Sequence, residues 1–293
     1  MPFKIPSIKA IATDLDGTFF HPKKRIKMIP KKNKAFAKRF TDDGGRLVLV
    51  SSRVDNFYAR IKERLDCPFD FIGANGCFAI IDGEMKWQRF FETETLKAVV
   101  KGIQENYDPW IFMVSSKDIP FVSARTGVKW IVNIIYKWYM FVQGALRETP
   151  IKSDEVFYQE IEKGCVYKLM LFIGFTKKQM LKAKKLAEEI NSKYDTIEAH
   201  WLNEVIEITP KGCTKADGVA KYLDYFGLTH DNIVVVGDGG NDVPMFERFH
   251  EHSYCMDHAH HSIQSHASKT IHSFADLEDE LYPCEDSEPR ENK

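Results

Sequence analysis

At 293 residues the chain is long for one compact domain and suits a core of ordinary size carrying an insertion or a second domain. Hydrophobic residues at 44% and charged residues at 28% exclude bulk disorder, and 41 Lys and Arg against 42 Asp and Glu, a formal net charge of -1, argue against a general nucleic-acid binder. The six cysteines form no C-x-x-C pair, the amino terminus lacks a signal core, and no uncharged run reaches bilayer-spanning length, so a cytoplasmic chain with reduced thiols and no membrane role is expected.

Residues 8–13 are a short β-prone run that empties into Asp14-Leu15-Asp16-Gly17-Thr18. The pattern reads as a buried parallel strand delivering two carboxylates to its carboxyl end, where open α/β sheets bind ligands. Strand alternation would turn Asp14 and Asp16 to one side, able to share a cation or to divide nucleophile and acid/base roles. Plain turn chemistry is the competing reading. Residues 21–34 read as a polar loop leading into a helix that buries Phe36 and Phe40. Arg46–Val50 is a second buried strand, ending in Ser51-Ser52-Arg53. Hydroxyls and helix-start N–H groups suit an anion there, although a serine could equally just cap the helix expected over 54–65. A third strand, 69–73, closes on Ala74-Asn75-Gly76, suited to positive φ.

The pattern then changes. A hairpin over 77–90, a helix over Thr93–Asn106, strands near 110–114, 120–124 and 166–173, and a charged helix over Lys177–Lys193 with Met180, Leu181, Leu186 and Ile190 available for burial describe an inserted unit. Strands at 196–200 and 205–208 complete it. Residues 128–142 are its most apolar patch, with Lys129, Asn133 and Lys137 on one helical face; the patch could pack the insert, form a dimer contact or touch substrate. The chain returns to the core with a helix over 216–226, which puts Lys215 at a helix start, against the macrodipole preference unless an anion lies nearby. The strand 233–236 empties into Gly237-Asp238-Gly239-Gly240-Asn241-Asp242, which reads as a metal or phosphate loop. Seven of the ten histidines fall between His250 and His272; without regular ligand spacing they read as a solvated polar segment. Residues 284–293 lack apolar periodicity and read as a disordered tail.

Four strand ends therefore carry chemistry: Asp14 with Asp16, Ser51, Lys215, and Asp238 with Asp242. In this order they resemble the haloacid dehalogenase (HAD) superfamily of phosphohydrolases, and the position of the insert is similar to the larger cap of its Cof-type branch, subclass IIB. The resemblance implies an α/β fold: a Rossmann-like doubly wound parallel sheet core at 1–81 and 204–283 with an inserted α+β cap domain at 82–203. It implies a phosphatase acting on small phosphorylated metabolites such as sugar phosphates, working as a monomer or homodimer. Asp14 would be the nucleophile and Asp16 the acid and base. Leu15, Ser51, Ser52, Arg53, Asn75, Gly76, Lys215 and Asn241 would bind phosphate or substrate. Mg²⁺ would be held by Asp14, the Asp16 backbone carbonyl, Asp238 and Asp242.

Three departures mark the site rim: Ser51-Ser52-Arg53 stands where the branch usually has Thr-Gly-Arg, Asp257-His258-Ala259 where it has Gly-Asn-Ala, and Ser273-Phe274-Ala275-Asp276 where it has Asp-Gly-Val. Competing functions are a phosphomutase with the same cap, and a phospho-acceptor or Mg²⁺-binding regulatory protein without turnover.

Overall fold

Strand β1 (Ala10–Thr13) is wholly buried and pairs in parallel with β2 (Arg46–Val50) on one side and β12 (Ile233–Gly237) on the other. In this computed structural model residues 7–22, 29–107, 109–124, 151–174, 176–202 and 205–282 are described. The first sheet continues outward from β2 through β3 (Asp70–Gly73), β4 (Phe78–Ile81) and β5 (Glu84–Gln88), and outward from β12 through β13 (Ser253–Met256) and β14 (Lys269–Ile271). Only β4 runs against the other strands, pairing antiparallel with both β3 and β5. Apolar residues on successive positions explain why these strands sit centrally, because a parallel strand must bury both faces. Leu47 and Leu49 pack on one face, Val48 and Val50 on the other. Helices α1 (Lys31–Asp42) and α2 (Asn56–Lys62) cover the first face. The order β3-β2-β1-β12-β13-β14 is that of a doubly wound Rossmann-like sheet, and its topological switch point lies between β1 and β12.

A second sheet has the order β10-β11-β9-β6-β7-β8, formed by β6 (Ile111–Ser116), β7 (Val122–Ser123), β8 (Ile151–Lys152), β9 (Val166–Phe172), β10 (Ile197–Leu202) and β11 (Val205–Pro210). It is antiparallel except for β7 with β8. Helices α3 (Thr93–Asn106), α4 (Asp154–Glu162) and α5 (Lys177–Lys193) supply the rest of its core. The helix α4 and strand β8 were not anticipated from sequence. On α5 the buried stripe is Ala183, Leu186, Ala187 and Ile190, while Leu181 is exposed and Met180 only half-buried, because the helix turns its 183-186-190 face to the sheet.

Strand pairing shifts the division expected at 82 and 204. Residues 84–88 belong to the first sheet because β5 extends the β4 hairpin, and residues 205–210 belong to the second because β11 bonds both β10 and β9. Helix α6 (Lys215–Phe226) then covers the second face of the first sheet. The apolar patch at 128–142 and the tail at 284–293 lie outside the described residues. The five described cysteines are unpaired. No described helix is long and apolar enough to cross a membrane.

Candidate active site

The backbone leaves β1 abruptly. The Asp14 N–H still bonds Val236 across the switch point at 2.9 Å, but Gly17 takes a φ of 91° and residues 15–19 form a wide turn. A Cβ at Gly17 would lie 2.2 Å from an Asp238 carboxylate oxygen, so glycine serves here both the turn and the close approach. The turn also separates the two acids that strand alternation would align. Asp14 is buried, whereas Asp16 is exposed and held by Arg53, whose Nε and Nη2 donate at 2.8 and 2.9 Å. The Arg53 guanidinium rests over the Phe57 ring at 4.3 Å.

Lys215 sits at the first turn of α6, after a Thr214 cap reinforced by Asp217. Its Nζ donates to Asp14 Oδ1 and to Asp242 Oδ1, both at 2.6 Å, and the side chain is 1% exposed. Asp242 in turn accepts the N–H groups of Asp238 (3.0 Å) and Gly239 (2.9 Å), closing the Gly-rich loop on itself. Thr18 Oγ1 donates to Asp238 Oδ1 at 2.9 Å. Carboxylate oxygens of Asp14, Asp238 and Asp242 all lie within 4.8 Å of one another. Burial raises the Asp14 carboxyl well above its ordinary range, opposed by Lys215, and burial with Asp242 nearby raises Asp238. Burial works against the Lys215 charge, yet Asp14 and Asp242 outweigh it and hold the ammonium protonated. Three carboxyl groups therefore face one ammonium, and with all three ionised the site would carry an excess of two negative charges. An all-oxygen donor set with that excess fits a hard divalent cation such as Mg²⁺. The Asp16 carboxylate stands outside the trio.

Ser51 is buried at the end of β2, its Oγ accepting the Arg53 N–H at 3.2 Å. The helix start beyond it is capped by Asp55, not by either serine. Ala74, Asn75 and Gly76 all have positive φ (48°, 57° and 99°), and a Cβ at Gly76 would lie 2.3 Å from the Thr214 carbonyl oxygen, so this turn packs backbone to backbone against the segment that presents Lys215. Asn75, Lys215 and Asn241 line one cleft with His200 and Glu207 of the second sheet.

Sequence reasoning missed a second buried cluster. Lys168 of β9 is 2% exposed and donates to Glu207 Oε1 at 2.8 Å and to the Ser52 carbonyl at 3.2 Å; Asn75 Nδ2 donates to Glu207 Oε2 at 2.7 Å. Burial alone would raise the Glu207 carboxyl, but Lys168 and Asn75 hold it below its ordinary value. The available signal was a charged residue inside an apolar strand, at 168 and again at 207. The histidine-rich segment, expected to be merely solvated, also reaches the site: His258 Nε2 lies 3.5 Å from Asp238 Oδ2, its ring stacked 4.0 Å from that of His21. A larger cavity of about 680 Å³ at the amino ends of β2 and β3, lined by Arg46, Tyr58, Lys62 and Cys67 among others, contains none of the motif residues.

The family model described as haloacid dehalogenase-like hydrolase matches residues 11–277. The chain belongs to this family. The hydrolase is 26% identical over 253 residues to the Bacillus subtilis protein named 5-amino-6-(5-phospho-D-ribitylamino)uracil phosphatase YwtE, covering 82% of this chain and 85% of the relative. It is 23% identical over 240 residues to a second Bacillus subtilis phosphatase of the same description, YitU, covering 81% and 82%. Among solved structures it superposes on a haloacid dehalogenase-like hydrolase from Bacillus subtilis with a TM-score of 0.73 at 17% identity, covering 92% of this chain and 98% of the other. The HAD subclass IIB sugar phosphatase BT4131 matches with a TM-score of 0.68 at 18% identity, covering 92% and 95%. Fold and family therefore agree with a haloacid dehalogenase-like hydrolase whose fold is that of the subclass IIB sugar phosphatase BT4131.

Proposed function

We propose that this hydrolase is a Mg²⁺-dependent phosphohydrolase that releases phosphate from small phosphorylated metabolites, polyol and sugar phosphates foremost, through an aspartyl-phosphate on Asp14. The observation that carries the reading is the Asp14 carboxylate at the switch point, gripped by Lys215 beside two further acids. A phosphatase must hold a nucleophile, neutralise the phosphoryl oxygens and protonate the leaving alkoxide. Asp14 Oδ would attack phosphorus as the P–O bond to the alcohol breaks, and Asp16 would give that oxygen its proton. Water would then attack the aspartyl-phosphate, Asp16 taking its proton, to release inorganic phosphate and regenerate Asp14. Asp16 would first leave Arg53, and the guanidinium would then turn to a phosphoryl oxygen. Lys215, Ser51 and nearby N–H groups would hold the remaining oxygens. Bound at Asp14, Asp238 and Asp242, with the Asp16 carbonyl completing the set, Mg²⁺ would screen the charge between nucleophile and phosphate.

The second sheet would serve as the cap, covering the site and choosing the substrate. Two relatives named for a ribityl phosphate support a polyol monoester as the substrate class. The test is phosphate release from a panel of phosphorylated metabolites, run beside an EDTA control and Asp14→Asn. Release that needs both metal and Asp14 is expected; release that survives either loss would overturn the mechanism.

A further inference from the structure

The cleft between the two sheets holds two polar atoms that are buried and have no hydrogen-bond partner: Asn75 Oδ1 and His200 Nε2. The orientation of Asn75 is set by its neighbour. A carboxylate only accepts, so Glu207 Oε2 obliges Asn75 to turn its amide nitrogen toward it, which leaves Oδ1 as the unsatisfied end. Glu207 cannot turn away, because its other oxygen is tied to Lys168. His200 lies directly across from Glu207 in the β10–β11 pairing, which puts both side chains on the same face of the hairpin. Its Nε2 approaches Glu198 Oε2 only to 3.7 Å, beyond hydrogen-bond length.

Asn75 Oδ1 needs a donor, and an imidazole nitrogen takes a donor or an acceptor according to its tautomer. A hydroxyl can serve either. A second phosphate or a carboxylate on the leaving group would offer Asn75 no donor and would bring like charge toward Glu207. A plain alkyl chain would leave both atoms buried and unpaired. We infer that His200, together with Asn75 Oδ1, reads hydroxyl groups on the alcohol half of the substrate, so that the enzyme selects phosphate esters of polyols over those of plain alcohols. The inference rests on the phosphatase reading and adds the residues that discriminate: His200 and Asn75 touch the substrate, and Glu207 positions Asn75.

Glycerol 3-phosphate and propyl phosphate share a three-carbon chain and differ in two hydroxyls. Their kcat/KM ratio is measured for the wild type, His200→Ala and His200→Gln, and their Kd values are measured by calorimetry on Asp14→Asn with and without His200→Ala, which requires no turnover. The wild type should favour the glycerol ester about tenfold, a factor within the range expected when a buried polar group is left unpaired. His200→Ala should shrink the ratio by about the same factor, and His200→Gln, which keeps a polar tip, should recover part of it. A ratio near one in the wild type, or one unchanged in a folded His200→Ala protein, overturns the inference while leaving the phosphatase reading intact. No turnover of any ester, with His200-dependent preference for the glycerol ester still seen by calorimetry on Asp14→Asn, sinks the phosphatase reading and keeps the hydroxyl-reading site. Equal binding of both esters, or binding of neither, overturns the inference.

Discussion

Among the described residues two lysines are buried almost completely, and their surroundings differ in one respect. Lys168 is matched: one ammonium, one carboxylate (Glu207), and neutral partners in Asn75 and the Ser52 carbonyl for the remaining bonds. Lys215 is outnumbered by Asp14, Asp238 and Asp242. A matched buried pair is a fixed structural joint, here between the second sheet and the loops at the ends of β2 and β3. An outnumbered lysine is the mark of a site that needs further positive charge and will respond to ions and phosphate. Burial is the same in both; charge balance separates framework from chemistry.

The largest expected effect breaks the outnumbered side. Asp14→Asn should lower phosphate release by roughly 10⁴-fold or more, as loss of a covalent nucleophile does. Its metal-free fold should melt no lower than wild type, because the amide is neutral at a position where burial and the neighbouring acids disfavour the carboxylate; a large fall in Tm would erase the distinction between the two lysines. Lys168→Met tests the matched side. It leaves Glu207 buried without its counter-ion and should cost about 3–5 kcal/mol in denaturant unfolding. A cost under about 1 kcal/mol would show that the joint is not held by charge. Addition of Mg²⁺ sharpens the contrast. At a free concentration 100 times its Kd the cation should stabilise the wild type by about 2.7 kcal/mol, and Asp238→Asn should remove most of that gain in the same thermal titration. Acid should act through Glu207. Because its carboxyl is held below the ordinary value of 4.5, its contribution to stability is present above that value and is lost as the pH falls through the lowered one. Tm followed from pH 6 to pH 3 should therefore drop more for wild type than for Glu207→Gln; parallel curves would dissociate Glu207 from the acid response.

What was legible in the sequence follows the same divide. The strand ends that gather at the switch point announce themselves locally, since β-branched runs that empty into acids and glycines have few uses in packing. Asp14, Lys215, Asp238 and Asp242 could therefore be named before any coordinates. The relation of Asp14 to Asp16 could not, because alternation holds only while the chain remains a strand and the turn at Gly17 ends it. The Lys168–Glu207–Asn75 joint and His200 were illegible for a different reason. Each depends on which strands pair and in what register: Glu207 meets His200 only through the β10–β11 hairpin, and meets Asn75 only because the two sheets face one another there. The exposed Leu181 shows the limit of periodicity within one helix, where an apolar residue beside the buried stripe was read as part of it.

The backbone contact between Gly76 and the Thr214 carbonyl has a metrical consequence. Asn75, which would face the alcohol in the proposed reaction, and Lys215, which grips the proposed nucleophile Asp14, are each one residue away from that contact. No side chain intervenes that could stretch, rotate or be exchanged to change their separation. The distance between the leaving group's handle and the phosphate's anchor is therefore gauged by main chain, and substitutions in the second sheet can change what is read without changing where along the substrate the reading is made.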